Sequence, residues 1–139
     1  MDKKKVLEIC NALVKGNLME TLEIEFVDVG KDFLSARMPV TPKVHQSDGL
    51  LHGGASVALA ETVGSAAVPV LTQDSSISIV GIEISANHLK SVRSGYVTAT
   101  AKPLRLGKNI QLIEIRVTDE EDNLISHCKL STFSRQKNK

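Results

Sequence analysis

The sequence predicts an α+β domain in which a curved antiparallel sheet wraps around one long central helix, with a short helix at the N-terminus. From Leu50 to Thr72, apolar residues cover every face of a helical wheel, a pattern typical of a helix buried on all sides. Two strand-like runs precede this segment and four follow it, and short turns favour antiparallel pairing. A helix without a polar face needs a sheet curled around it and another element packed on its remaining side. A partner subunit is the obvious candidate for that element.

The composition indicates one globular domain. A chain of 139 residues with 42% hydrophobic and 24% charged residues is large enough for one core and too small for two. We therefore expect a single domain over residues 1–139, with a disordered tail at 135–139. The net charge of +1 gives no basic surface for nucleic acid or an anionic membrane, so neither partner is expected.

The cellular location is argued from the cysteines and the N-terminus. Cys10 and Cys128 match no metal-ligand spacing, and the first residues lack the long apolar stretch and cleavage site of a secretory signal. We therefore expect a cytoplasmic protein. The segment 50–72 is interrupted by Glu61 and Pro69 before about 20 clean apolar residues accumulate, so it is predicted to be a core helix and not a membrane span.

The remaining elements follow from hydrophobic periodicity. Helical spacing over 3–15 predicts a short amphipathic helix lying over a sheet edge, and alternation on both sides of a turn at 30–32 predicts a hairpin. A polar loop at 44–49 then leads into the long helix. Four further strands are predicted at 77–86, 95–104, 110–118 and 124–134.

Two local irregularities are expected. The alternation within 77–86 changes phase, which predicts a bulge near 79–81. Pro69 should kink or end the long helix near Val68, because proline removes the hydrogen bond to the Ser65 carbonyl and crowds it.

The start of the long helix, His52-Gly53-Gly54, is a candidate anion site. Unpaired N–H groups and the positive end of the helix dipole can cradle an oxyanion or a phosphate. Alternatively, the glycines only permit a tight turn into the helix.

Glu61 is a single carboxylate inside the apolar helix, where an unpaired charge is costly. It follows Gly53 by eight residues, about 12 Å along a helix axis, whereas a reacting carbonyl lies about 3 Å from its oxyanion donor and close to the base or nucleophile. If both groups serve one reaction, two antiparallel helices must place Gly53 of one opposite Glu61 of the other. Ser65, one turn later, can bond the carboxylate or hold a water. A structural carboxylate paired with a core His or Lys is the alternative.

The run QSDGLLHGGASVALAET, residues 46–62, resembles the hotdog-fold acyl-CoA thioesterases, in the branch of the 4-hydroxybenzoyl-CoA and 1,4-dihydroxy-2-naphthoyl-CoA thioesterases. The resemblance extends to VGIEISANHLKSVRSG (80–95) and KPLRLGK (102–108), and covers nearly the whole chain. Its most specific motif is HGG with a glutamate eight residues after the first glycine and a glutamine six residues before the histidine. The resemblance implies the hotdog fold and a homo-oligomer built from dimers with shared active sites. A dimer of dimers, that is a homotetramer, is favoured over a simple dimer.

The resemblance also implies residue roles. The carboxylate at Glu61 attacks the thioester or activates water, and the backbone N–H at Gly53 of the neighbouring subunit binds the oxyanion. His52 supports the thioester oxygen, Gln46 positions the acyl carbonyl or the water, and Ser65 helps to place the water. Substrate or coenzyme A contacts are implied for His88 in the acyl pocket, for Lys90 and Lys108 near the nucleotide and phosphates, and for Gly54 and Thr62.

Some positions depart from the family pattern or allow another interpretation. Ser47-Asp48 stands where this branch more often has proline and an apolar residue, which would reshape the entrance of the acyl pocket. Three Phe, one Tyr and no Trp leave few rings to stack on an aryl group. His88 is alternatively a core histidine with its hydrogen bonds satisfied, and Lys90 and Lys108 are alternatively solvated.

We therefore expect a thioesterase that hydrolyses an acyl-CoA, with aryl-CoA substrates such as hydroxybenzoyl- or dihydroxynaphthoyl-CoA favoured, to the free acid and coenzyme A without a metal or other cofactor. One alternative is a non-catalytic acyl-CoA-binding hotdog module, which normally carries an output domain. Another is a hotdog acyl dehydratase, which relies on a catalytic histidine with an acidic partner. His52, directly before Gly53, fits that chemistry less well than Glu61 fits hydrolysis.

Overall fold

Three helices and six strands follow one another in the computed structural model, which describes residues 1–137. The helices are α1 (Lys3–Ala12), α2 (Leu18–Thr21) and α3 (Gly53–Thr72), and a 3₁₀ turn spans Pro42–Val44. The strands are β1 (Glu25–Val29), β2 (Leu34–Pro39), β3 (Ile77–His88), β4 (Tyr96–Leu106), β5 (Ile110–Thr118) and β6 (Leu124–Gln136). The long helix, the hairpin and the four later strands are therefore confirmed. The short helix α2 was not predicted, because four residues show no periodicity.

All six strands form one antiparallel sheet in the order β1-β2-β4-β5-β6-β3, so β1 and β3 are its edges. Helix α1 lies beside the β1 edge, as predicted. The Asn11 amide donates to the Phe26 carbonyl (3.0 Å), and its oxygen accepts the Phe26 N–H (2.7 Å). Unpaired backbone groups of one edge strand are thereby satisfied.

Helix α3 packs against the sheet with one face only. Leu59 and Val63 are fully buried on that face, whereas Glu61 and Ser65 are half-buried on the other side. In one chain, the predicted burial of the helix is therefore observed only on the side that faces the sheet, because a single sheet covers only one side of a helix. By length and composition alone α3 could also cross a membrane, but the core helix of a globular domain meets the same criteria.

Helix α3 continues through Pro69 and ends at Thr72, so of the predicted kink or end near Val68, the end is wrong. Only one turn follows the proline, and its geometry is fixed by a left-handed Gln73 (φ 54°) and by the Asp74 N–H, which donates to the Pro69 carbonyl at 3.1 Å. A proline this close to a helix end disturbs only one internal hydrogen bond.

Strand β3 has the predicted irregularity, with its register shifting between Gly81 and Glu83, next to the expected position. The predicted disorder of 135–139 is wrong for Arg135 and Gln136, which continue β6 and pair with β3. Backbone pairing is largely independent of side-chain type, so polar residues can extend a strand without an apolar signal. Residues 138–139 lie outside the described part of the chain.

Candidate active site

A pocket of about 360 Å³ opens at the N-terminal end of α3. Four residues singled out from the sequence line it: Gln46, Gly53, His88 and Lys90. They come from the loop before α3, the first turn of α3, and the end of β3 with the loop that follows. The fold therefore brings together residues that are up to 44 positions apart in the chain.

Two loops that fold against each other form one wall of this pocket. The Leu51 N–H donates to the Val92 carbonyl (2.8 Å), and His45 Nε2 lies 2.8 Å from the Arg93 carbonyl oxygen. Gln46 lies in the first loop, where its side-chain oxygen accepts the Asp48 N–H. Its side-chain NH₂ is therefore the group that remains to donate to a ligand, as an acyl carbonyl requires.

His52 is the N-cap residue of α3. Its Nδ1 accepts the Gly54 N–H at 2.8 Å, so in the neutral ring the proton is on Nε2. The His52 carbonyl accepts from the next two amides, those of Ala55 (3.0 Å) and Ser56 (3.2 Å). Within residues 1–137, the Gly53 N–H donates to no protein acceptor, which suits an oxyanion donor. The Gly54 amide is already used by the cap, so its substrate role stays a prediction.

The His88 ring packs directly against Gly53. A Cβ at position 53 would lie 2.7 Å from Nε2 of His88, so only glycine fits there without moving the ring. The other ring nitrogen, Nδ1, lies 2.7 Å from the hydroxyl of the fully buried Ser126. His88 is itself exposed, so it is not a core histidine. Sequence reasoning missed Ser126, whose only signal is a polar residue within a predicted strand.

Glu61 lies outside this pocket, further along α3. In the part of the chain that the structure describes, its carboxylate forms no ion pair and no hydrogen bond, so no His or Lys of the same chain pairs with it. Ser65 follows one turn later on the same face but is not bonded to it. The Thr62 hydroxyl donates to the Ala58 carbonyl (2.7 Å), so its proton is used within the helix. The roles of Ser65 and Thr62 stay predictions.

The two lysines that resemblance places near coenzyme A differ in position. Lys90 borders the pocket and pairs with Asp119 at 3.4 Å. The backbone N–H of Asn123 lowers the pKa of Asp119, which keeps that carboxylate ionised opposite the lysine. Lys108 is exposed in the turn between β4 and β5 and does not line the pocket. Contacts of both lysines with a substrate stay predictions.

The cysteines are poor candidates for catalysis. Cys10 and Cys128 are buried, and burial raises the pKa of both thiols. A thiol that stays protonated at neutral pH is a weak nucleophile. The arrangement therefore favours carboxylate chemistry over thiolate chemistry.

Comparison with known proteins decides the family. Residues 48–126 match the sequence profile of the Thioesterase superfamily. The chain belongs to this superfamily. It is 44% identical over 130 residues to a 1,4-dihydroxy-2-naphthoyl-CoA hydrolase of Escherichia coli K12, a match that covers 94% of this chain and 95% of the relative. It is 47% identical over 126 residues to the proofreading thioesterase EntH of Cronobacter turicensis, with 91% of each protein covered.

Solved structures agree with these sequence matches. A thioesterase of Haemophilus influenzae is 42% identical and superposes with a TM-score of 0.90, covering 94% of this chain and 90% of that one. A thioesterase of Pseudomonas aeruginosa, solved as a mutant, is 37% identical and has the same TM-score, with 94% of each chain covered. The predicted hotdog fold is confirmed, and this member of the thioesterase superfamily is a thioester hydrolase.

Proposed function

We propose that this thioesterase hydrolyses an acyl-CoA to the free acid and coenzyme A in active sites that two subunits share. The observation that carries the proposal is that the two proposed reacting groups, Gly53 and Glu61, lie far apart along α3. Among residues 1–137, the Gly53 N–H at the pocket has no protein acceptor, while the Glu61 carboxylate, also without a partner, lies two turns away and outside the pocket. A thioester carbonyl cannot reach both groups within one chain.

The surfaces of the single chain support a second copy at this place. The face of α3 that carries Glu61 is only half-buried. Next to it, the edge strand β3 exposes four consecutive residues, 80–83, including the apolar Val80 and Ile82, which are 53% and 57% exposed. A long apolar edge strand favours pairing with another strand. An antiparallel partner would bring its own helix start opposite Glu61. Further assembly of such dimers into a homotetramer is part of the proposal.

Glu61 would act by one of two balanced routes. In the first, its oxygen attacks the thioester carbonyl carbon, the C–S bond breaks, coenzyme A leaves as a thiol after taking a proton, and water hydrolyses the resulting anhydride. In the second, Glu61 takes a proton from a water that attacks the carbonyl directly, and that proton passes to the departing sulfur. In both routes, the developing oxyanion would accept a hydrogen bond from the Gly53 N–H of the partner subunit.

We favour an aryl-CoA substrate. The motif resembles that of a branch of aryl-CoA thioesterases, and one relative is named for 1,4-dihydroxy-2-naphthoyl-CoA. The pocket has a mixed lining, and its apolar part, formed by Leu50, Leu51, Leu89 and Ile125, suits contact with an acyl or aryl group. Of the four pocket residues predicted from the sequence, Lys90 would meet the anionic part of coenzyme A. The reaction is proposed to need no metal and to occur in the cytoplasm.

Replacing Glu61 by glutamine tests the proposal. Glu61→Gln keeps the shape of the side chain and removes its charge, so we expect folding and coenzyme A binding to persist while thiol release falls by at least about 10³-fold. Release should be measured with aryl-, branched- and straight-chain acyl-CoAs, before and after dialysis against a chelator. Near-normal hydrolysis by Glu61→Gln would refute the role of the carboxylate. Substrate binding without hydrolysis of any acyl-CoA by the parent protein would favour a binding module, and enoyl hydration would favour a dehydratase.

A further inference from the structure

We infer that Gly81, at the bulge of β3, is a positioning residue that leaves the space in which the Glu61 carboxylate lies. The inference rests on the proposed role of Glu61. Gly81 is 20 residues away from Glu61 in the chain and contributes no functional group. Its effect comes from the side chain that it lacks.

The contact is close and specific. A Cβ built on Gly81 would lie 2.5 Å from Oε2 of Glu61 and 3.2 Å from its Cδ, while the next neighbour, Leu130 Cδ1, would be at an ordinary 3.5 Å. The carboxylate thus lies against the bare backbone of Gly81. Position 81 is otherwise exposed in the single chain, so apart from Glu61 there is room for a methyl group.

Backbone conformation does not explain this glycine. Gly16, Gly49 and Gly95 are the glycines with positive φ among residues 1–137, and Gly81 is not one of them. A glycine inside a strand normally weakens it and often marks a bulge or a close approach of another group. Both features occur here, since the register shifts between Gly81 and Glu83 and the carboxylate contacts Gly81.

The consequence of adding a methyl group can be worked out from these distances. Ordinary contact begins near 3.4 Å, so a methyl at position 81 would displace Oε2 by about 1 Å. The atom that must move is the end of a flexible side chain, so the fold should tolerate the change. A misplacement of about 1 Å at a reacting group can lower the rate by roughly 10²-fold. Gly81→Ala should therefore impair catalysis much more than stability.

The test is a double-mutant cycle between positions 81 and 61. We expect Gly81→Ala to lower kcat roughly 100-fold with KM changed less than about three-fold, because the carboxylate acts in the chemical step. Glu61→Asp withdraws the carboxylate by one methylene and frees the space next to position 81. In that background, Gly81→Ala should change kcat by less than about three-fold. Light scattering and thermal unfolding should show the parent oligomeric state and similar stability for all variants.

Ser85→Ala on the same edge strand is the matched control, and it should leave kcat unchanged. An equal loss from Gly81→Ala in the Glu61 and Glu61→Asp backgrounds would overturn the inference, because it would show a general effect on the strand or the subunit contact. An unchanged kcat for Gly81→Ala would overturn it as well.

If hydrolysis by Glu61→Asp is too slow to measure, Gly81→Ser and Gly81→Val replace the cycle. In that series, kcat should fall progressively with side-chain size, and an unchanged kcat across the series would overturn the inference. Loss of activity in Glu61→Gln with normal activity in Gly81→Ala would refute only the positioning role, whereas normal activity in Glu61→Gln would refute the proposed function.

Discussion

Ser126 and His88 show how a buried side chain can set the direction of an exposed one. The Ser126 hydroxyl is fully buried and lies 2.7 Å from Nδ1 of His88, whose other nitrogen faces Gly53. A hydrogen bond at this nitrogen favours one orientation of the ring in the pocket. The sequence motif predicted His88, Gln46 and the helix start. It could not predict Ser126, whose contact depends on the register of β3 against β6, or Gly81, whose contact depends on how β3 packs against α3.

Ser126→Ala should weaken substrate binding. Loss of a hydrogen bond with a net value of about 1 kcal/mol corresponds to roughly a five-fold rise in KM if it is needed to orient His88. Steady-state kinetics with an acyl-CoA would measure the change, which should leave kcat within about two-fold. Ser131→Ala on the same strand is the control. A KM equal to that of the parent protein would show that the serine does not orient the ring for binding.

The elements differ in how well their sequence defines them. Periodicity predicted α1 and the six strands, because burial on one side imposes a period on side chains, and a long apolar run on every face of the wheel predicted α3. The short α2 and the polar end of β6 carry no such signal. The helix end predicted at Pro69 was wrong for another reason, since the effect of a proline depends on how many helical residues follow it. Among the elements, α1 has a defined task, because Asn11 satisfies both backbone groups of Phe26 on the β1 edge.

Asn11→Ala should destabilise the protein without slowing hydrolysis. Two hydrogen bonds to the edge strand would be lost, with a combined effect of about 1–3 kcal/mol on the free energy of unfolding. Urea unfolding at a fixed protein concentration would measure it. Lys15→Ala, on an exposed side chain next to the same helix, should change stability by less than about 0.5 kcal/mol. If Asn11→Ala unfolds at the parent urea concentration, the edge contact does not stabilise the fold.

In the structure of one chain, the two groups that the proposed reaction needs lie apart. The sequence predicted a helix buried on all sides, and the structure of one chain buries one side. The remaining face carries Glu61, and the pocket at the helix start carries Gly53. The distance between them along one helix could be predicted from residue spacing alone. The shape of the pocket could not, because it depends on loops held by backbone hydrogen bonds.

Hybrid dimers test the shared site. Gly53→Pro removes the free N–H at the first position of a helix, where the backbone accepts proline, and it also displaces the His88 ring of the same chain. Glu61→Gln removes the carboxylate. Each variant alone should be inactive. Random mixing places half of the chains in hybrids that each have one complete site, so about a quarter of the parent activity should return. Native mass spectrometry would verify that hybrids form. Verified hybrids without activity would show that each site is built within one chain.

The two edges of the sheet differ in how far their backbone groups are hydrogen-bonded, and this difference affects assembly. The backbone of edge β1 is partly satisfied by α1, whereas no other strand among residues 1–137 pairs with the outer side of the twelve-residue edge β3. A sheet with two free edges can add copies at both ends and grow into a fibre. Here, pairing of β3 with β3 of a second copy would use the free edge of both chains at once. Such pairing would end strand addition after one step, so the sheet would close on a twofold axis and would not grow into a fibre.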